Sequence, residues 1–219
     1  MDSLVYELFP TPVLKVKYPK HKELQRFILD NVDHWNESHS VTNDFSNSVV
    51  HSFNKSNQSI WMLLDPEIVE FKEFVRDACA DFLYNIKGYE EGEVSLLQSW
   101  VNTYHKSGGL PFHSHGNSVV SGTYYALYDS KKHEPIKFAS PADVADMKPY
   151  LNSATDKLTK YNTTIASVPY EEGDVLLWDS YLRHGVSNDA VGDRITLSFN
   201  AVPTIIDDGL YSMEIKNGF

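Results

Sequence analysis

The chain has one cysteine, Cys79, so no disulfide can close within it and a small secreted scaffold held by cystines is excluded. Cys79 lies on the apolar side of a predicted helix and reads as buried filler in a reducing compartment, not as a catalytic thiol. Positive charge is also scarce. Nineteen Lys and Arg stand against thirty Asp and Glu, a formal net charge of −11, which argues against a broad surface for nucleic-acid phosphates or anionic membranes. Long apolar runs are missing, and the start Met1-Asp2-Ser3-Leu4-Val5-Tyr6-Glu7 lacks the basic and apolar regions of a signal peptide. A cytoplasmic location is therefore expected. Repeats, low-complexity tracts and linker-like stretches are absent too, and 219 residues with 42% hydrophobic content suit one globular domain spanning 1–219.

What is present divides into a helical first part, about 1–90, and a strand-rich remainder. Leu24, Phe27, Ile28, Val32 and Trp35 recur at helical spacing within Lys22 to Trp35. A second helix is bracketed by Asp65 as N-cap, Pro66 in the first turn and Gly88 at the C-terminal cap. Its stripe is Ile68, Phe71, Val75, Ala78, Cys79, Phe82 and Ile86. The Ser-, Asn- and His-rich stretch Asn36 to Asn57 reads as a loop or short irregular strands, with His39 and His51 as solvated loop histidines.

From Val94 onward, β-branched and aromatic residues are punctuated by Gly, Pro, Asp and Asn. Strands are expected over 94–104, 111–116, 118–128, 135–139, 163–168, 174–178 and 194–201. Short strands without long intervening helices imply an antiparallel sandwich or jelly roll, giving a mainly β fold with supporting α-helices. An insertion over about 129–162, in which Ser140-Pro141-Ala142-Asp143 opens a short helix, has the length of a lid.

The chemistry-bearing residues are His113 and His115, then His184, then Arg194 ten positions later. Two histidines at i, i+2 on a strand share a face, and a distant third completes a metal-binding triad. Taken one at a time, each reads as a loop or turn residue. The strand lead-in Glu172 to Trp178, which delivers His184 just past a strand, favours the metal reading. Arg194 follows closely enough for one hairpin to carry it with His184, where it would hold a carboxylate beside the metal. In the last strand Arg194, Thr196, Ser198 and Asn200 share a polar face, and Ile195, Leu197, Phe199 and Ala201 an apolar one. Gln98, Trp100, Asn102 and Tyr104 likewise share a mixed face suited to a pocket, where a bound carboxylate would satisfy Asn102 and Tyr104. Trp100, Tyr124, Tyr125 and Trp178 are candidate pocket walls, although aromatic residues in a jelly roll are more often core. His105 and His133 are taken as surface residues, with His105 a candidate for substrate contact, and Asp179 as a surface turn carboxylate.

Trp100-Val101-Asn102-Thr103-Tyr104, His113-Ser114-His115-Gly116-Asn117, Ser121-Gly122-Thr123-Tyr124-Tyr125 and the stretch from His184 to Asn200 together resemble the iron(II)- and 2-oxoglutarate-dependent dioxygenases. The start Leu8-Phe9-Pro10-Thr11-Pro12 is similar to that of the 2OG-Fe(II) oxygenases of phages and marine bacteria. The resemblance implies a double-stranded β-helix, the cupin-like jelly roll, buttressed by amino-terminal helices. It implies that His113 and His184 ligate Fe(II), that Arg194 pairs with the far carboxylate of 2-oxoglutarate, and that Thr196 supplies the hydroxyl of an Arg-x-Ser/Thr pattern. Asn102 and Tyr104 match an Asn-x-Tyr pair that contacts the cosubstrate in the nucleic-acid-demethylase branch. The activity implied is a hydroxylation or other oxidation, with dioxygen and 2-oxoglutarate as cosubstrates, of a small-molecule or peptide substrate.

His115 departs from the pattern, since most of that superfamily places Asp or Glu there. The ligand set His113, His115 and His184 would carry no charge, which favours binding of the 2-oxoglutarate dianion and admits zinc or copper as well as iron. Two other readings stay open: a three-histidine cupin-type dioxygenase that does not use 2-oxoglutarate, and a non-catalytic metal-binding jelly-roll module.

Overall fold

In a computed structural model of the chain, residues 4–42, 49–52, 65–105, 108–141, 158–187 and 192–215 are described, with backbone alone for 38–42 and 49–52. Chain order runs β1 (Val13–Lys17), α1 (His21–His39), β2 (Ser40–Thr42), β3 (Val49–Ser52), α2 (Val69–Ala80), β4 (Val94–Tyr104), β5 (Leu110–His113) and β6 (Val120–Leu127). It continues through β7 (Lys137–Ala139), β8 (Ile165–Ala166), β9 (Asp174–Asp179), β10 (His184–Val186), β11 (Arg194–Pro203), β12 (Ile205–Asp207) and β13 (Ser212–Glu214). A seven-stranded sheet is ordered β1-β9-β6-β11-β4-β3-β2 and a four-stranded one β5-β10-β7-β8. Every described pairing in them is antiparallel. The architecture is a jelly roll with helices on the large sheet.

Sequence parity explains the layering. Ile195, Leu197, Phe199 and Ala201 of β11 turn toward the helices, joining Leu24, Ile28, Val32 and Trp35 of α1 and Phe71, Val75 and Cys79 of α2 in the main core. Cys79 is fully buried there, and burial pushes its thiol pKa up. The residues between them face the small sheet. There a second cluster, including Tyr125, Tyr170, Phe138, Leu176 and Trp178, closes one end of the space between the sheets.

Several boundaries differ from the sequence reading, each for a local reason. The Asp65 side chain caps as expected, accepting from Glu67 N at 2.9 Å, but the segment it opens is a 3-10 turn (Pro66–Ile68), then α2, then a π turn (Asp81–Ile86). The wider π turn rotates the stripe, so Phe82 is buried while Ile86 is exposed. Gly88 follows at φ +74°, a left-handed conformation that few other residues adopt. Helix α1 continues past Trp35 to His39, and His51 lies in β3, so neither histidine is in a loop. Strand β1 was not expected. It is an edge strand whose Lys15 and Lys17 face solvent, a composition that blunts edge pairing and weakens the strand signal. Of the insertion 129–162, the stretch 142–157, with most of the helix expected from Ser140, lies outside the described residues. Among the described residues no helix is long and apolar enough to cross a membrane.

Candidate metal centre and anion pocket

His113 ends β5 and His184 opens β10, and the two are directly paired in register. Their ring centroids lie 4.5 Å apart, and that of His115 is 5.2 Å from His113 and 5.3 Å from His184. One ring nitrogen from each lies within 4.8 Å of the other two, close enough to converge on one ion. The expected i, i+2 strand geometry is not how this is achieved. Strand β5 stops at His113, and a turn carries His115 into place, where its backbone N–H donates to Ser180 O at 2.9 Å. Close approach of β10 to β5 requires Gly185, since a Cβ there would lie 2.9 Å from Leu110 O and 3.1 Å from Phe112 N.

Each imidazole is held through Nδ1. That of His113 lies 2.8 Å from Pro111 O, and that of His184 lies 2.9 Å from Leu182 O with Trp178 Nε1 at 3.2 Å. That of His115 lies 3.2 Å from Asn200 Nδ2. Nε2 is the nitrogen left to each ring. Burial lowers the His184 pKa from 6.5 to about 3, with the neighbouring His113 and His115 adding to the shift and the Leu182 carbonyl opposing it. Burial and then His113 lower the His115 pKa to about 4. Both rings are neutral at pH 7, the form that offers a lone pair to a metal. Among the described residues no carboxylate joins the cluster. Asp179 is not the surface residue expected. It is buried and paired with Lys87.

Arg194, the first residue of β11, is 1% exposed. Its guanidinium carbon sits 3.9 Å from the centroid of the Tyr104 ring, and Nη1 donates to Glu134 O at 3.3 Å. Its Nε is buried without a partner, and among the described residues no carboxylate forms an ion pair with it. A buried cation left in this state is costly, typically by several kcal/mol. The hairpin expected to carry His184 and Arg194 does not exist, because β10 belongs to the small sheet and β11 to the large one. The two residues instead line one cavity of about 290 Å³ from opposite sheets.

The remaining sequence candidates divide by strand parity. Asn102, Tyr104, Thr196 and Ser198 line the cavity, with Asn102 Nδ2 3.3 Å from Thr196 Oγ1 and 3.2 Å from Ser198 Oγ. Trp100, Tyr125 and Trp178 are walls, and Tyr125 stacks on Tyr170 with centroids 3.9 Å apart. Tyr124 is not a wall. It faces the helices, with its hydroxyl 2.7 Å from His21 Nδ1. His105 is exposed beside Asp193 at 3.0 Å and does not line the cavity. His133 is buried rather than superficial, with Nδ1 accepting from Asp129 N at 3.0 Å and Nε2 unpartnered. Sequence reasoning missed Ile136 and the role of Asn200 beside His115, although the polar parity of β11 already placed Asn200 on this face.

Comparison with known proteins follows the same lines. Residues 98–200, which span Asn102 through Asn200, match the family described as "Putative 2OG-Fe(II) oxygenase". No curated protein sequence matches the chain. Among solved structures, HygX from Streptomyces hygroscopicus with nickel, 2-oxoglutarate and hygromycin B is similar over 89% of this chain and 84% of its own, at 16% identity and TM-score 0.56. The non-heme alpha ketoglutarate dependent epimerase SnoN from nogalamycin biosynthesis matches over 94% and 89%, at 10% identity and TM-score 0.59. A prolyl hydroxylase from Trichoplax adhaerens, in complex with a hypoxia inducible factor peptide fragment, matches over 87% and 83%, at 11% identity and TM-score 0.55. At these identities the likeness is one of fold.

Proposed function

We infer that this chain is an iron(II)- and 2-oxoglutarate-dependent oxygenase, an oxidoreductase that couples conversion of 2-oxoglutarate to succinate with oxidation of a C–H bond. The observation that carries the reading is the buried, carboxylate-free Arg194 in the same cavity as three convergent imidazoles. A metal site alone has no use for such an arginine, whereas a chelating dicarboxylate needs both. This favours 2-oxoglutarate over the cupin-type alternative and over a non-catalytic module.

His113, His115 and His184 would hold the iron through Nε2. The donor set fits the metal, since all three rings are held at Nδ1 and His115 and His184 are uncharged at pH 7. Bound iron supplies dioxygen activation coupled to oxidative decarboxylation of the cosubstrate. Arg194 would grip the distal carboxylate with its planar donor fork, at about 1.5–3 kcal/mol for each charged hydrogen bond. Thr196 offers a hydroxyl in the same cavity, and the Tyr104 ring lies against the guanidinium. Asn102 orients the hydroxyls of Thr196 and Ser198. Trp100, Leu110, Ile136, Val186 and Trp178 keep the cavity apolar and limit water around the reacting centre.

The substrate class we propose is a small molecule or a peptide, the two kinds of ligand named for the similar solved structures. The Leu8-Phe9-Pro10-Thr11-Pro12 start supports a place near the phage and marine bacterial oxygenases, and the lone buried Cys79 suits the cytoplasm. The test is spectroscopic. Fe(II) and 2-oxoglutarate added without oxygen should give a visible metal-to-ligand charge-transfer band, and bound iron without that band would defeat the assignment.

A further inference from the structure

We propose that Asn200, with three serines behind it, forms a reversible hydrogen-bond relay that sets which nitrogen of His115 is protonated. Asn200 is then a positioning residue for the third ligand. This rests on the metal-centre reading above.

His115 differs from the other two imidazoles in its partner. His113 meets a backbone carbonyl, which only accepts, so it carries its proton on Nδ1 and leaves Nε2 free. His184 Nδ1 lies between the Leu182 carbonyl at 2.9 Å and the donating Trp178 Nε1 at 3.2 Å, and the shorter contact to the carbonyl keeps the proton on Nδ1. His115 meets a side-chain amide, which presents a donor on one arm and an acceptor on the other. Asn200 is fully buried, and its Oδ1 accepts from Ser121 Oγ at 2.8 Å. Ser121 Oγ lies 2.9 Å from Ser180 Oγ, which accepts from Ser118 Oγ at 2.8 Å. Ser121 and Ser180 are buried, while Ser118 at the far end is half-buried. Because the His115 peptide N–H also bonds Ser180 O, ring and backbone are referenced to the same residue.

The chain has two fully satisfied directions. In the first, each serine donates toward Asn200, and Asn200 Nδ2 donates to His115 Nδ1. A neutral imidazole accepting at Nδ1 carries its proton on Nε2 and has no lone pair there for a metal. In the second, the amide is turned over. His115 Nδ1–H donates to Oδ1, Nδ2 donates to Ser121, and the hydroxyls reverse in turn as far as Ser118. The Nε2 proton passes to solvent and one from solvent is taken up at Nδ1 of the half-buried ring, so no net charge moves. Only the second direction lets His115 ligate through Nε2. The third ligand is therefore conditional on the relay, whereas the first two are fixed by the backbone.

The tautomers can be read directly by long-range proton–nitrogen NMR on protein carrying nitrogen-15 histidine, before and after Zn(II). We expect His113 and His184 to hold the Nδ1–H form throughout, and His115 to pass from Nε2–H to Nδ1–H as zinc binds. Asn200→Asp presents acceptors only and should place His115 in the Nδ1–H form before zinc is added. Asn200→Leu should weaken zinc binding by about 10- to 100-fold, the usual effect of removing an outer partner of a ligand. Zinc binding with an unmoved His115 tautomer in the wild type, or Asn200→Leu affinity within about twofold of it, would overturn the relay and leave the oxygenase assignment standing. Should Asn200→Leu not fold, Asn200→Asp decides the matter by the same spectrum. Failure of zinc to bind the wild type would overturn relay and metal centre together.

Discussion

The guanidinium carbon of Arg194 lies over the ring of Tyr104, 3.9 Å from its centroid, and the two residues are direct register partners across β11 and β4. The ring thus backs a cation that no carboxylate among the described residues neutralises. A desolvated contact of this kind is worth roughly 2 kcal/mol. Tyr104→Leu should weaken 2-oxoglutarate binding by about 30-fold on that figure, while Tyr104→Phe keeps most of the affinity. Calorimetric titration of 2-oxoglutarate into the anaerobic iron protein measures both, and equal losses in the two variants would mean that the stacked ring contributes nothing.

Arg194→Ala should lower 2-oxoglutarate affinity by at least about 100-fold, since two charged hydrogen bonds are lost. The same change separates ligand linkage from intrinsic stability. At a hundred times its Kd the cosubstrate stabilises the wild type by about 2.7 kcal/mol, and the variant should show no upward shift of melting temperature at that concentration. A retained shift would mean that Arg194 does not hold the carboxylate.

His115→Ala should release iron at least about tenfold more readily than the wild type, as expected for the loss of one of three ligands. His115→Asp should retain it, because a carboxylate there completes the two-histidine, one-carboxylate set. Metal content after gel filtration in the presence of a weak chelator reads both variants.

The metal-free protein should lose stability as pH falls from about 6.5 toward 4. The folded pKa values of His184 and His115 lie at about 3 and about 4, below the ordinary 6.5, so through that window the unfolded chain binds protons that the folded one refuses. The contribution is fully present above 6.5 and is lost progressively below it. Urea midpoints at pH 7.0 and pH 4.5 should differ less in a His115→Gln variant than in the wild type, and an identical pH dependence would remove His115 from the account.

Gly185→Ala should cost about 1–3 kcal/mol of stability, the usual range for overpacking, because its Cβ meets backbone rather than a movable side chain. The displaced β10 carries His184, so metal affinity should fall with stability. A variant that unfolds at the wild-type urea midpoint and binds zinc normally would show that β5 and β10 yield freely.

How much of this was legible in the sequence depended on range. The two faces of β11 follow from period-two alternation alone, and the core and cavity divide along them. The gathering of His113, His115 and His184 was anticipated, although for His115 the reason was wrong, because a turn fixed by Ser180 substitutes for strand parity. Strand β10 is three residues long and leaves no periodic signature. That Arg194 and His184 approach from opposite sheets is a property of topology, and spacing in the chain pointed to a hairpin instead. The burial of Asp179 goes with a partner distant in sequence, Lys87, beyond the reach of local pattern.

The two sheets are unequally supported. The large one is braced by α1, α2 and the main core, whereas the small one is built of strands of two to four residues with no helix among its core partners in the described residues. Backbone amides of β5 and β10 should therefore exchange with solvent faster than those of β6 and β11. On gentle warming the small sheet would open first, so iron would leave while Arg194 and its surroundings were still folded. The practical working temperature of such an enzyme is then set by its weakest pair of strands, well before the whole chain melts.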